Sequence, residues 1–170
     1  PGDPRGRGLR ASPFSLWDRT GLGLPPPRDF AYRGEAMSAA ALLPLLKSTF
    51  GFEAFRGRQA EVVDRVMAGE RTLAVMPTGA GKSLTYQLPA VALDGCVVVV
   101  SPLIALMHDQ LRGARAAGIR AASLTSVDAD FADTRQAYRD GRLDLLYIAP
   151  ERATGEGFRS LMEARAPALF

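Results

Sequence analysis

The sequence predicts an α/β domain built on a mostly parallel sheet, and three observations carry that expectation. Apolar, β-branched runs such as Val97-Val98-Val99-Val100 read as strands covered on both faces. Stretches of helical period separate those runs, as a parallel sheet with crossover helices requires. Finally, Met76-Pro77-Thr78-Gly79-Ala80-Gly81-Lys82-Ser83 joins the apolar run Thr72-Leu73-Ala74-Val75 to a helix-like segment, which is the setting of a phosphate-binding loop.

The elements follow in order. Ala39-Ala40-Ala41-Leu42-Leu43-Pro44-Leu45-Leu46 gives the first helix-like pattern, ended by the turn Phe50-Gly51-Phe52. Residues 58–68 place Val62, Val63, Val66 and Met67 on one helical face. A strand is expected at 71–76, then a helix from Ser83, the valine strand, and a helix from about Leu103 to Ala116. A short strand near Ile119 to Leu124, a helix near Phe131 to Tyr138 and a last strand from Leu143 to Ala149 complete the alternation. In open sheets of this kind ligands gather at the carboxyl ends of strands, so the loop at 76–83 is expected at such an end.

Residues 1–36 are set apart by composition. Pro and Gly fill 12 of those 36 positions but only 17 of the remaining 134, so the segment reads as disordered and 37–170 as the ordered domain. Met37 directly precedes the first helix-like pattern, and the expectation is that translation starts there, with the preceding residues an upstream read-through. The other reading of 1–36 is a basic arm touching DNA phosphates. Its six Arg stand against four Asp or Glu, while residues 37–170 hold fifteen Lys or Arg against fourteen acids, so any nucleic-acid contact must be local.

At 47% hydrophobic and 23% charged, the chain has the makings of one sizeable core. Cys96 is its only cysteine, which excludes an internal disulfide or a cysteine-based metal site and leaves a buried structural thiol as the default. No apolar run approaches the ~20 residues that cross a bilayer, and the first residues lack a signal-peptide core, so a cytoplasmic location is expected. The abundance of Ala, Arg and Gly suits a bacterial, G·C-rich origin.

The loop has its own chemistry. Gly79 and Gly81 let the backbone turn tightly with N–H groups facing inward, and the following helix N-terminus adds partial positive charge for a polyphosphate. Lys82 can reach terminal phosphates as a point charge, and the Ser83 hydroxyl is a hard ligand suited to Mg²⁺. Lys82 and Ser83 are therefore the candidate catalytic pair, within a cofactor-binding set of Met76, Pro77, Thr78, Gly79, Ala80, Gly81, Lys82 and Ser83. The general spacing of such loops places a small residue where Met76 stands. A left-handed Ala80 would cost on the order of 1 kcal/mol.

Three further segments flank the loop. Phe55-Arg56-Gly57-Arg58-Gln59 lies one helix and one strand upstream, Ser101-Pro102-Leu103-Ile104-Ala105-Leu106-Met107-His108-Asp109-Gln110 follows the valine strand, and Tyr147-Ile148-Ala149-Pro150-Glu151-Arg152 closes the last one. In this order the four pieces resemble the first motor domain of a RecQ-type DNA helicase, a superfamily 2 ATPase with a RecA-like fold, from about Phe50 to Arg152. Met76-Pro77-Thr78-Gly79 is a mark of that family.

The resemblance implies ATP and Mg²⁺ as cofactors and single-stranded or junction DNA as partner, with no membrane and a nucleoid-associated setting. It assigns Gln59 to the adenine edge and Arg56 to stacking beside the base, roles that an amide and a guanidinium plane can fill. It places Ser101, Pro102, His108 and Gln110 along the tracked strand, with Ser123, Thr125 and Ser126 near the next DNA-facing motif. Leu103, Ile104, Leu106 and Met107 read as core. Pro150, Glu151 and Arg152 match the family's Ala-Pro-Glu-Arg element, where the charged pair organises the domain, approaches DNA or forms a plain surface ion pair.

The family departs from this sequence at three places: Gly57-Arg58 for its Pro-Gly, Ala80 for a glycine, and His108 for a frequent lysine. Its Asp-Glu-x-His strand, aromatic-rich loop, second motor domain, zinc-binding region and winged helix have no counterpart in these residues. The full-length family couples ATP hydrolysis to 3′-to-5′ unwinding in replication, recombination and repair. This chain, ending Ala166-Pro167-Ala168-Leu169-Phe170, is expected to bind ATP weakly at most, without meaningful turnover. Alternatives are a non-catalytic nucleic-acid-binding module, a fragment of a related RNA helicase, and a P-loop kinase or transporter ATPase. The last would call for a small residue in place of Met76.

Overall fold

A computed structural model describes residues 37–125 and 131–170. The expected helix at 39–46 forms later than its sequence pattern, as α1 (Leu43–Phe50), because Pro44 suits a first helical turn and Gly51 takes the left-handed conformation that ends it. Helix α2 (Gln59–Met67) buries Gln59, Val63 and Met67, and packs on α3 (Leu84–Ala92). Leu42, Leu46, Val63, Met67, Leu84 and Leu88 join these three helices in one apolar cluster beside the sheet.

The sheet has three parallel strands, β1 (Val97–Val100), β2 (Ala121–Leu124) and β3 (Leu145–Ile148), in the order β1-β3-β2. Val97 pairs with Leu145 and Ala121 pairs with the same residue from the other side, so β3 is central and apolar throughout. Side-chain alternation divides it into two faces. Val97, Leu145 and Tyr147 meet α3 and α4 (Ile104–Ala116) through Ala90, Met107 and Ala114. Val98, Leu146 and Ile148 meet α5 (Phe131–Arg139) and α7 (Glu156–Ala164) through Tyr138, Phe158, Leu161 and Met162. At the amino ends of β2 and β3, Asp144 accepts from both the backbone N–H and the guanidinium of Arg120, locking the two strands in register.

The expected strand at 71–76 is not one. Residues 71–77 carry no regular structure, and Leu73 and Val75 are 92% and 87% exposed. A strand needs a neighbour to take its N–H and C=O groups, and among the described residues none pairs with this run. On the side of β1 away from β3, Leu169 forms a parallel bridge with Val97: the Val98 N–H donates to Leu169 O and the Ala168 N–H to Cys96 O, both at 2.8 Å. The loop at 76–83 therefore follows an irregular segment rather than a sheet strand. Two helices escaped the sequence reading, the short α6 (Pro150–Ala153) and α7, whose buried Phe158, Leu161 and Met162 have helical spacing.

Candidate functional site

Gly79 and Gly81 have φ of 80° and 72°, and no non-glycine among the described residues has positive φ, so Ala80 sits in ordinary backbone between two left-handed turns. The loop ends at Ser83, the N-cap of α3, whose hydroxyl makes no capping hydrogen bond. Lys82 folds back on the loop, donating to the Met76 and Pro77 carbonyls at 3.0 and 2.9 Å. Its ammonium thus lies across the mouth of the turn, held by neutral carbonyl dipoles that an anion could outcompete.

Gln59 supports the loop from below. Although only 4% exposed, it is fully satisfied: Nε2 donates to Ala80 O and Gly81 O at 3.0 and 3.1 Å, while Oε1 accepts the Arg56 N–H at 2.8 Å. A Cβ on Gly81 would come within 2.5 Å of that Nε2 and push the Gln59 amide off the loop, besides having to keep a left-handed φ. Above Gln59, the Arg56 guanidinium lies 5.6 Å from the centroid of the Phe52 ring, a cation–π contact with the ring 42% exposed.

These residues line a cleft of about 200 Å³ between the Phe50-Gly51-Phe52 turn and the loop, with Ser83, Leu84 and Gln87 closing it on the α3 side. Of the residues expected from sequence, Arg56, Gln59, Gly79, Ala80, Gly81 and Ser83 meet here. Met76 and Pro77 contribute carbonyls to Lys82 rather than cleft surface, and Thr78 does not line the cleft. Sequence reasoning missed Phe52 and Gln87. The first was legible as the aromatic of the turn next to Phe55-Arg56, the second as the residue one helical turn beyond Ser83.

The segment after β1 is less uniform than expected. The Ser101 N–H is used by Ile148 O at 3.0 Å and extends the sheet. Pro102 and His108 are exposed, as are Leu103 and Leu106, at 60% and 45%, so of the apolar residues read as core only Met107 is fully buried. Gln110 is half-buried, its Oε1 accepting the Tyr86 hydroxyl at 2.7 Å. Ser123 and Thr125 are buried, the latter completely, which removes them from any DNA-facing surface. Ser126 lies outside the described residues, as does the 1–36 segment.

At the far edge of the sheet, Arg152 and Arg135 flank the Phe131 ring at 5.0 and 5.5 Å, and among the described residues Glu151 and Arg152 form no ion pair. Of the three readings of Glu151-Arg152, the ion pair is not formed among the described residues, and Arg152 makes a cation–π contact instead. Cys96 is a buried structural thiol as expected, its pKa pushed up to about 12, mainly by burial. No helix is long and apolar enough to cross a membrane among the described residues, and these contain no group of three or more His, Cys, Asp or Glu that could hold a metal ion.

Comparison with known proteins gives a consistent picture. Residues 56–163 match the family of DEAD/DEAH box helicases. The chain is 42% identical over 124 residues to the ATP-dependent DNA helicase RecQ of Haemophilus influenzae, covering 71% of this chain and 20% of that protein. It is 39% identical over 122 residues to the ATP-dependent DNA helicase RecQ of Bacillus subtilis, covering 70% and 21%. To the ATP-dependent DNA helicase Q1 of Pongo abelii it is 36% identical over 140 residues, covering 79% and 21%. The chain thus spans about a fifth of the length of these relatives.

Proposed function

Because the chain belongs to the DEAD/DEAH box helicase family, we propose that it is the nucleotide-binding part of a RecQ-type ATP-dependent DNA helicase, taking Mg²⁺-ATP in the cleft between Phe52 and Ser83. The observation that carries this reading is the pairing of two left-handed glycines with Lys82-Ser83 at the start of α3, against a wall that holds Arg56 and an exposed aromatic ring. A polyphosphate entering the turn displaces the Lys82 ammonium from the Met76 and Pro77 carbonyls, exchanging two neutral acceptors for anionic oxygens. The Ser83 hydroxyl, uncommitted to its helix, is the oxygen that would hold Mg²⁺. When bound, the metal supplies charge neutralisation between the outer phosphates.

Arg56 and Phe52 together form an amphipathic plate on which a purine can lie. Gln59 Oε1 has a second lone pair for a base N–H, but its Nε2 can donate to the adenine edge only by giving up Ala80 O or Gly81 O, so base recognition and loop support draw on one carboxamide. That makes Gln59 the group through which adenine can loosen the loop.

DNA contact falls to the surface formed by the exposed Pro102 and His108 and the half-buried Gln110, where one strand would run along α4, with unwinding 3′ to 5′ a property of the whole enzyme. Replication, recombination and repair are the settings we propose, in a cytoplasmic, nucleoid-associated enzyme; any zinc site belongs to parts of the family outside this chain. Within these 170 residues we expect binding without turnover. Phosphoryl transfer to water also requires a carboxylate that organises Mg²⁺, and the cleft residues include none.

Thermal unfolding tests the binding claim. Mg²⁺-ATP is expected to raise the midpoint of the wild-type chain and leave Lys82→Ala unmoved, since only a ligand of the native state stabilises it. Equal shifts in both proteins would remove the loop from the proposal. A single-strand-stimulated ATPase rate abolished by Lys82→Ala would refute the expected lack of turnover. Salt-sensitive DNA binding indifferent to both ATP and Lys82 would favour a non-catalytic module.

A further inference from the structure

A line of polar groups crosses the apolar layer between the cleft and α4. It starts at Gln87, which lines the cleft and donates from Nε2 to the Tyr147 hydroxyl at 3.3 Å. Tyr147 lies on the central strand with no exposed surface, its ring edge-on to Tyr86 at 6.3 Å and 82°. Tyr86 then donates to Gln110 Oε1, the shortest of these bonds at 2.7 Å. Both rings belong to the layer formed by Ala90, Met107, Leu145 and their neighbours.

Phenylalanine would fill the space of either tyrosine, and a phenol oxygen inside an apolar layer costs free energy unless it is bonded. Here each phenol oxygen bonds a glutamine, Tyr147 that of the cleft wall and Tyr86 that of the helix following β1, and the two rings meet edge-on between them. Burial pushes the Tyr147 phenol well above its ordinary pKa, so it stays a neutral hydroxyl able to donate as well as accept. The bond from Tyr86 takes up the carbonyl end of the Gln110 amide and leaves its two N–H donors as the end available to an outside acceptor.

We propose that Tyr86 is a positioning residue that orients the Gln110 amide toward the phosphodiester backbone of a single strand lying on α4, and that Gln87 and Tyr147 tie this orientation to the occupancy of the cleft. The inference rests on the nucleotide reading of the cleft and adds the route by which it reaches a nucleic-acid contact. A ligand that moves Gln87 changes what Tyr147 bonds. Through the edge-on contact of the two rings, that change shifts Tyr86 and the amide it holds.

The test follows the side-chain NH₂ signal of Gln110 in ¹⁵N correlation spectra of the whole chain, identified by its loss in Gln110→Ala. Saturating Mg²⁺-ATP is expected to shift this signal together with the Gly79 and Gly81 backbone signals. In Tyr86→Phe the glycines should still respond while Gln110 no longer does. The affinity of this variant for an oligothymidylate should fall roughly three- to tenfold, the worth of one hydrogen bond of ordinary strength.

Glycine shifts without a Gln110 shift in the wild type, or an unchanged Gln110 response in Tyr86→Phe, would overturn the relay and leave the nucleotide reading standing. Silent glycines would overturn both. Gln110→Glu separates positioning from packing: it keeps an acceptor for Tyr86 but removes the donors, so oligothymidylate affinity should fall while the fold is retained. Undiminished binding would refute the role given to the amide.

Discussion

Gly81→Ala isolates the contact on which the loop rests. The added Cβ would sit 2.5 Å from Gln59 Nε2, and the residue must keep φ at 72°. The obstacle is the far end of a flexible side chain, so the amide swings aside and the cost is the bonds it abandons. Left-handed backbone in alanine costs about 1–2 kcal/mol. Freeing the Ala80 and Gly81 carbonyls from a buried amide adds about 1–3 kcal/mol. A total of about 2–5 kcal/mol is a large share of the stability of a small domain.

Gly79→Ala is the control, because its φ of 80° carries the same backbone penalty while nothing lies within 4 Å of its Cβ. It should cost only about 1–2 kcal/mol. Urea unfolding of both variants, each repeated in a Gln59→Ala background, reads the difference directly. In that background Gly81→Ala should shrink to the backbone term, since the clash and the bonds are already gone. Equal losses for Gly79→Ala and Gly81→Ala, or no change of the Gly81 effect without Gln59, would refute the role assigned to the amide.

Other expectations are narrower. Leu73→Asp and Val75→Asp should each change stability by less than about 0.5 kcal/mol, because both side chains already face water; Leu146→Ala in the fully buried central strand should cost about 2–5 kcal/mol, and urea midpoints compare them. The Cys96 thiol should resist thiol reagents in the native chain and react promptly in denaturant, since its ionisation is pushed up to about 12 by burial. The sign of its pH effect follows: the unfolded thiol ionises near 9.0 and the folded one near 12, so its contribution is intact below pH 9 and lost as pH climbs from 9 to 12. Urea midpoints taken across that interval should fall more steeply for the wild type than for Cys96→Ala.

Much of the fold was legible because its signals are local. Val97–Val100 and Leu145–Ile148 are apolar at every position, as a strand covered on both faces must be, and Ile104–Ala116 has the length and composition of a crossover helix. The run at 71–76 carries the same local signal without the same outcome. A strand is a property of pairs, and β1 here receives Leu169 at its free edge instead of that run. Helix α7 is legible in the spacing of Phe158, Leu161 and Met162, but it lies beyond Arg152, where the motif resemblance ends.

For the site, residue types announced the glycine turn, Lys82 and Ser83, but not the hydrogen bonds that hold the loop. Which acceptors Lys82 takes, or that Gln59 holds two loop carbonyls, depends on distances between segments more than 20 residues apart in the second case. Leu103 and Leu106 misled for a related reason. Apolar residues at the start of an amphipathic helix read as core, yet Leu103 and Leu106 face water here, and of these three only Met107 joins the buried layer.

The most direct measurement of the central claim is calorimetric titration of Mg²⁺-ATP into the wild-type chain and into Lys82→Ala. Saturable one-to-one binding by the wild type, weakened at least about tenfold by the substitution, is the predicted result, tenfold being 1.4 kcal/mol for a charge that must leave two carbonyls before it meets a phosphate. Identical isotherms for the two proteins, or no heat from either at millimolar nucleotide, would contradict a nucleotide site built on this loop.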